Sequence, residues 1–315
     1  MVNRVGDTET ALVTGGAGFI GRHLVRNLLD SGIQVRVVDS GETGQLELLP
    51  PECELVVADI AELSLSDWDN QLRDVHVVYH LAARKYNTPG VTEEGLVAAN
   101  GLASLNLARA AAERNVRKFV YTSSLYAYGS LGPAVMNVSD IPNPLTVYGS
   151  SKLFGEHVLK TKDFTNQLNW AVARLFFVYG PGQFAEGGYK SVIFSNFERI
   201  AAGEQPLIRG DGNQTLDYIF VDDVVRGLRA LAEHPNNVLV NLGSGVGLTI
   251  NDITEKMINI SGSGLAPEHV EADWTAGTSR VSSIDFTTSV LEWTPRVSFD
   301  EGLERVWKSR HGDAA

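Results

Sequence analysis

Ala11-Leu12-Val13-Thr14 runs straight into Gly15-Gly16-Ala17-Gly18-Phe19-Ile20-Gly21, and Phe19–Asp30 continues with helical periodicity. An apolar, partly β-branched run, a glycine-rich turn and an amphipathic helix thus follow one another without a spacer. Glycine at 15, 18 and 21 permits a tight turn, close approach of backbone to a pyrophosphate, and helix–strand contact. The placement matters more than the spacing, since 31 glycines in the chain will produce similar spacings elsewhere. Asp39 closes the next apolar run 18 residues after Gly21, where a carboxylate can accept from ribose hydroxyls. Its charge would repel a 2′-phosphate, which favours NAD over NADP, and Arg36 nearby weakens that preference slightly.

Working outward, short β-branched runs alternate with helical stretches. Gln34–Asp39, Glu54–Ala58, His76–His80, Lys118–Ser123 and Trp170–Arg174 read as further strands. Ser66–Arg73, Val91–Arg114 and Tyr148–Thr161 read as helices. This alternation implies an α/β fold: a doubly wound parallel (Rossmann) sheet with right-handed crossovers. After residue 178 the pattern changes. Gly180-Pro181-Gly182 is followed by Gly187-Gly188-Tyr189-Lys190, which reads as a turn or as a loop over a ligand. Lys190–Ala202, Asp222–Glu233, Ile250–Ile260 and Asp300–Lys308 are expected helices, with strands near Pro206–Arg209 and Asn237–Leu242. The expected division is residues 1–178 as an NAD-binding domain and 179–315 as a smaller C-terminal α/β substrate lobe. Residues 222–242 are expected to return to the first domain.

The chain has 315 residues, 43% hydrophobic and 20% charged, which suffices for a large core and excludes disorder. No apolar run approaches the roughly 18 residues needed to span a bilayer. Met1 to Thr10 is polar and acidic and does not read as a secretory leader. A net charge of −12 argues against a nucleic-acid surface, which needs a basic face. Cys53 is the single cysteine, so no internal disulfide can form, and it has no cationic neighbour to activate it. The seven histidines are scattered without ligand spacing, so no metal site is expected, and His80 reads as a packed, hydrogen-bonded core residue. The expectation is a soluble cytoplasmic protein.

Tyr148 and Lys152 are four apart, which puts both side chains on one helix face. Ser124 lies just past the fifth strand, 24 residues upstream, where a strand end can present it to the same cleft. The trio has a chemical use. A phenol ionises near pH 10, so service as a base at neutral pH needs a shift of roughly 3 units, or about 4 kcal/mol. The Lys152 ammonium and a positively charged nicotinamide could supply it by stabilising phenolate. Ser124 would hydrogen-bond the reacting oxygen.

These residues belong to a longer ordered set: Asp59-Ile60, His80-Leu81-Ala82-Ala83, Asn100, Ser123-Ser124, Tyr148-x-x-x-Lys152, Arg174-Leu175-Phe176-Phe177-Val178-Tyr179-Gly180-Pro181 and Gly210 to Val224. Together with the glycine turn, the set resembles the extended short-chain dehydrogenase/reductase family, in particular its nucleotide-sugar epimerases and dehydratases. The resemblance spans essentially the whole chain. It implies tightly held NAD, the Ser124/Tyr148/Lys152 trio, and a lobe that holds a nucleoside-diphosphate sugar. It also places Gly15, Gly18, Phe19, Ile20, Gly21, Asp39, Asp59, Ile60, Leu81, Ala82, Ala83, Lys85 and Asn100 along the cofactor, with Tyr148 and Lys152. It implies a homodimer through a four-helix contact from Val91–Arg114 and the Tyr148 helix.

Three departures narrow the reading. Leu125 and Tyr126 stand where dehydratases carry an acidic pair after the catalytic hydroxyl, which lowers the dehydratase and decarboxylase readings. Phe177 replaces the substrate-binding Asn of Arg-x-Phe-Asn-Val-Tyr-Gly, and Leu216 replaces the Arg of Gln-x-Arg-Asp that grips the diphosphate. Losing such a charge-assisted contact costs about 1.5–3 kcal/mol unless it is replaced. Arg280 is the first candidate replacement, then Arg209 and Arg84. Tyr126 is expected at the substrate or packed against the lobe, and Tyr128 packed. The resulting expectation is an NAD-dependent nucleotide-sugar epimerase working at the 4-position. The alternative is a dehydrogenase or ketoreductase of a sugar or other hydroxy compound with exchangeable cofactor, favoured by Phe177 and Leu216; a non-catalytic NAD sensor would not need the trio.

Overall fold

The computed structural model describes residues 9–85, 90–129, 135–183, 191–273 and 276–312; residues 187–190, expected as a turn or a loop over a ligand, lie outside them. The strands are β1 (Thr10–Thr14), β2 (Gln34–Asp39), β3 (Glu54–Val57), β4 (Val77–His80), β5 (Lys118–Ser124), β6 (Trp170–Leu175), β7 (Phe177–Tyr179), β8 (Leu207–Arg209), β9 (Thr215–Phe220), β10 (Val238–Leu242), β11 (Gly247–Thr249), β12 (Glu268–Val270) and β13 (Ser279–Arg280). The helices are α1 (Phe19–Asp30), α2 (Leu65–Gln71), α3 (Glu93–Leu96), α4 (Ala103–Glu113), α5 (Val147–Lys160), α6 (Lys162–Thr165), α7 (Val192–Ala201), α8 (Val221–Glu233), α9 (Ile250–Ser261), α10 (Asp285–Leu291) and α11 (Phe299–His311).

Seven strands form one parallel sheet in the order β10-β6-β5-β4-β1-β2-β3. Alternation along the strands feeds the two faces of the sheet core. Ala11, Val13, Val35, Val37 and Tyr79 face one side, where Leu24 and Leu28 of α1 meet Val224 and Leu228 of α8. Leu12, Val38, Val78, Phe119 and Tyr121 face the other, under Trp68 of α2, Leu107 and Ala111 of α4 and Leu159 of α5. The doubly wound reading therefore holds, and Val238–Leu242 is the seventh strand, hydrogen-bonded to β6. The winding direction reverses between β1 and β4, which opens a crevice at the carboxyl ends of those strands.

The expected helix Val91–Arg114 is three segments: α3, a wide π turn over Val97–Leu102, and α4. The wide turn carries Asn100 and Gly101, both buried. Asn100 reaches inward to the backbone of Arg84, and Gly101 leaves room for the Phe154 ring of α5, which would stand 3.4 Å from a Cβ there. Single-turn π segments of this kind often mark functional sites.

A second core lies beyond the sheet, where Phe197 of α7, Met257 of α9 and Leu303 of α11 cover Leu216, Tyr218 and Phe220 of β9. Asp217 ties these parts together. It is fully buried and accepts from the backbone N–H of Ser244 (2.7 Å), Gly245 (3.1 Å) and Ser282 (3.0 Å), and from the hydroxyls of Ser244 and Ser282. One carboxylate thus fixes β9 to the chain after β10 and to the chain after β13. The fit is tight: a Cβ at Gly243 would lie 2.6 Å from Asp217 Oδ2. Among the described residues no helix is long and apolar enough to cross a membrane, and no cluster of potential metal ligands occurs.

Candidate active site

Backbone contact shapes the glycine turn. Gly15 has φ +71°, and a Cβ there would stand 2.7 Å from Ala82 N; a Cβ at Gly21 would stand 2.1 Å from Gly15 O. Side chains at either position would push the turn off β4 or off α1. Gly18 caps α1 with no side-chain hydrogen bond, so the first-turn N–H groups face a cradle that suits a pyrophosphate. The Phe19 and Ile20 side chains pack against the second core, leaving backbone as what they offer to the cradle. Asp39 Oδ2 accepts from Ala17 N (2.9 Å) and Oδ1 from Gly41 N (2.9 Å), which fixes the carboxylate beside the turn.

A directed chain of hydrogen bonds forms the floor. Ser104 Oγ donates to Asn100 O (2.7 Å), so it must accept from His80 Nε2 (2.8 Å). His80 Nδ1 then accepts from Thr14 Oγ1 (2.6 Å), which in turn accepts from Ala82 N (3.2 Å). The imidazole is thereby a neutral Nε2–H tautomer. Burial, helped by the Lys152 charge, pushes its pKa down to about 3. The Asn100 amide closes on Arg84 N (2.8 Å), Arg84 O (2.9 Å) and Ser151 Oγ (3.1 Å). It therefore staples the segment Leu81 to Lys85 to the π turn and to α5. Arg84 is engaged by Asp59 (2.7 Å) and Glu42 (3.2 Å). Asp59 also accepts from Ala61 N (2.9 Å), and Ile60 beside it is buried in the second face of the sheet core. Lys85 is exposed.

Ser124 ends β5, and Tyr148 and Lys152 lie one turn apart near the start of α5, which Thr146 caps by accepting from Gly149 N (3.0 Å). Two glycines press α5 onto β5. A Cβ at Gly149 would be 2.4 Å from Tyr126 O, and one at Gly155 would be 2.5 Å from Tyr121 Oη. The Ser124 hydroxyl accepts from Tyr126 N (3.3 Å), which leaves its own proton to donate. Lys152 is buried with Nζ 4.6 Å above the Tyr121 ring, whose hydroxyl donates to Lys152 O (3.3 Å). Burial pushes the Lys152 pKa down to about 7, and the carboxylate of Glu156, one turn on, opposes that. Glu156 is itself fully buried, held in two hydrogen bonds by Arg174 (2.9 and 2.7 Å) and by the Ser123 hydroxyl.

A model described as the NAD dependent epimerase/dehydratase family matches residues 11–243. The chain belongs to that family. It is 34% identical over 306 residues to UDP-glucose 4-epimerase of Mycolicibacterium smegmatis, covering 94% of this chain and 96% of that one. The solved UDP-glucose 4-epimerase of Thermotoga maritima with UDP-glucose superposes with a TM-score of 0.87 at 29% identity, over 96% of this chain and 98% of that one. UDP-glucuronic acid 4-epimerase of Bacillus cereus, solved with UDP-glucuronic acid and NAD, gives 0.83 at 28% identity, over 95% and 98%.

As a member of this family the chain builds its lobe side differently. Leu216 is buried in the second core, and Arg280 of β13 pairs in register with it. The Arg280 guanidinium lies 5.5 Å from the centre of the Tyr126 ring. Phe177 stacks on Tyr218 at 5.5 Å, and Tyr128 is fully buried beneath Arg174 with its hydroxyl on Asn241 Oδ1 (2.6 Å). Arg209 is exposed on β8 near Asp273. Sequence reasoning had Arg174 and Asp217 only within longer motifs, with no role given to either, and missed Glu156 and the Tyr121 platform. Glu156 carried one readable signal, its place four residues after Lys152 on the same helix face.

The neutral His80 gives a pH test. An unfolded histidine protonates near its ordinary 6.5 while native His80 waits until about 3. Between those values the unfolded chain binds the extra proton, so stability falls as pH drops from 6.5. Urea unfolding should show this contribution costing about 2 kcal/mol at pH 5, absent from His80→Gln. An equal pH slope in both proteins would contradict the assignment.

Proposed function

We propose that the protein is an NAD-dependent nucleotide-sugar 4-epimerase acting on a UDP-hexose. The observation that carries this reading is the placement of Ser124, Tyr148 and a buried Lys152 by one strand end and one helix, beside a glycine cradle of the shape that NAD requires. When bound, NAD supplies the acceptor and donor for a hydride at the sugar carbon. Gly15, Gly18 and Gly21 would hold its pyrophosphate, and Asp39 its adenine ribose. Asp59, Ile60, the segment Leu81 to Ala83, Lys85 and Asn100 would line the rest.

Tyr148 removes the proton of the 4-hydroxyl and later returns it to the same oxygen, once the other face of the sugar carbon has been presented. Lys152 stabilises the phenolate as an ammonium, and Ser124 donates to the same oxygen. The keto-sugar turns within the pocket between these two steps. Leu125 and Tyr126 put no carboxyl next to Ser124, so this chain lacks an acid there for eliminating water. In this reading Phe177, Tyr126 and Arg280 bound the sugar nucleotide from the lobe, with Arg280 supplying the cation that Leu216 does not.

We also propose a homodimer. Leu102 and Val97 of the π turn and Phe154 of α5 are exposed large apolar side chains on neighbouring helices, the pattern of a helical interface. Leu102→Glu together with Phe154→Glu should convert the dimer to monomer by light scattering; a monomeric wild-type protein, or a dimeric variant, would refute the interface.

For the chemistry, Tyr148→Phe should lower turnover of UDP-galactose by about 10³-fold or more, with melting temperature and bound NAD retained. Near-normal turnover by that variant would sink the assignment.

A further inference from the structure

Tyr126 is in contact with residues from both sides of the proposed pocket. Its N–H donates to Ser124 Oγ (3.3 Å), and its carbonyl faces Gly149, where a Cβ would come within 2.4 Å. The backbone is thereby gripped between β5 and α5. Its ring meets the Tyr148 ring at 5.8 Å and 80°, near edge-to-face, and the Arg280 guanidinium lies 5.5 Å from its centre. Arg280 itself is set by pairing with Leu216, and the chain is anchored two residues later through Ser282 to Asp217. A ring attracts a cation to its face and another ring to its edge. One side chain thus joins the cation of the lobe to the phenol of the sheet domain.

We infer that Tyr126 is a positioning residue that couples seating of the substrate diphosphate at Arg280 to the orientation of the Tyr148 phenol. The inference rests on the epimerase reading and goes further, because it ties a contact far from the reacting carbon to the chemical step. An anion at Arg280 fixes the guanidinium over the Tyr126 ring, and the ring in turn limits how the Tyr148 ring can tilt.

Initial rates of the NAD-loaded enzyme with UDP-galactose test this. Tyr126→Phe keeps the ring and should lose less in kcat and in KM than Tyr126→Leu does. Tyr126→Leu keeps apolar bulk but no π face, and should raise KM about tenfold and lower kcat about tenfold. Arg280→Met should lower kcat as well as raise KM, and its effect on kcat should vanish in the Tyr126→Leu background. If Tyr126→Leu fails to fold, Arg280→Met still decides. A rise in KM alone with kcat intact would make Arg280 a plain anion contact and overturn the coupling. Tyr126→Phe as damaged as Tyr126→Leu would overturn it too. Tyr148→Phe runs alongside: if it is inactive while the Tyr126 variants behave as wild type, the coupling alone falls. If it turns over normally, the epimerase reading falls and the coupling with it.

Discussion

How close a helix can come to a strand decides what the catalytic end of this molecule can do. At Gly149 and Gly155 the surface of α5 reaches β5 and the turn that follows it with no room for a methyl group, touching the carbonyl of Tyr126 and the hydroxyl of Tyr121. That approach places Tyr148 beside the strand end that carries Ser124, and it buries Lys152. Burial alone would discharge the amine. The Tyr121 ring face and the Glu156 carboxylate oppose that, and Arg174 and Ser123 hold the carboxylate in turn. An ammonium poised near pH 7 is one that a phenol needs for company, since it favours phenolate without being locked in a direct ion pair.

The rest of the site is organised by groups that do no chemistry in the proposed reaction. The Thr14–His80–Ser104–Asn100 chain joins the glycine turn to the π turn through a neutral imidazole. Asp217 does the same for the lobe with five donors on one carboxylate. Buried polar groups of this kind are costly unless every partner is in place, so each network specifies one arrangement of its segments. Through Asp217 that arrangement includes β13, and so Arg280.

Much of this was legible in the sequence. The strand–turn–helix at Thr14 to Asp30 and most of the sheet strands follow from short apolar, β-branched runs, because a strand covered on both faces must be apolar throughout. The trio was readable because Tyr148 and Lys152 are separated by one helical turn. The short strands β7, β11 and β13 were not, since two or three residues carry no periodicity and owe their shape to neighbours such as β9. Nor was the break in Val91–Arg114, which depends on where Asn100 finds its partners. Arg174 meets Glu156 across a helix–strand crossover, and Arg280 meets Leu216 across 64 residues of chain. Proximity of that kind is a property of the fold.

The central claim is that hydrogen leaves the sugar carbon and comes back to the same molecule. It is tested most directly by converting UDP-galactose deuterated at carbon 4 with the NAD-loaded enzyme, in the presence of excess unlabelled free NAD. The account predicts UDP-glucose that retains the deuterium at carbon 4, with no NADH accumulating in solution. Deuterium passing into free NADH, with an oxidised sugar released, would contradict it and mark a dehydrogenase with exchangeable cofactor.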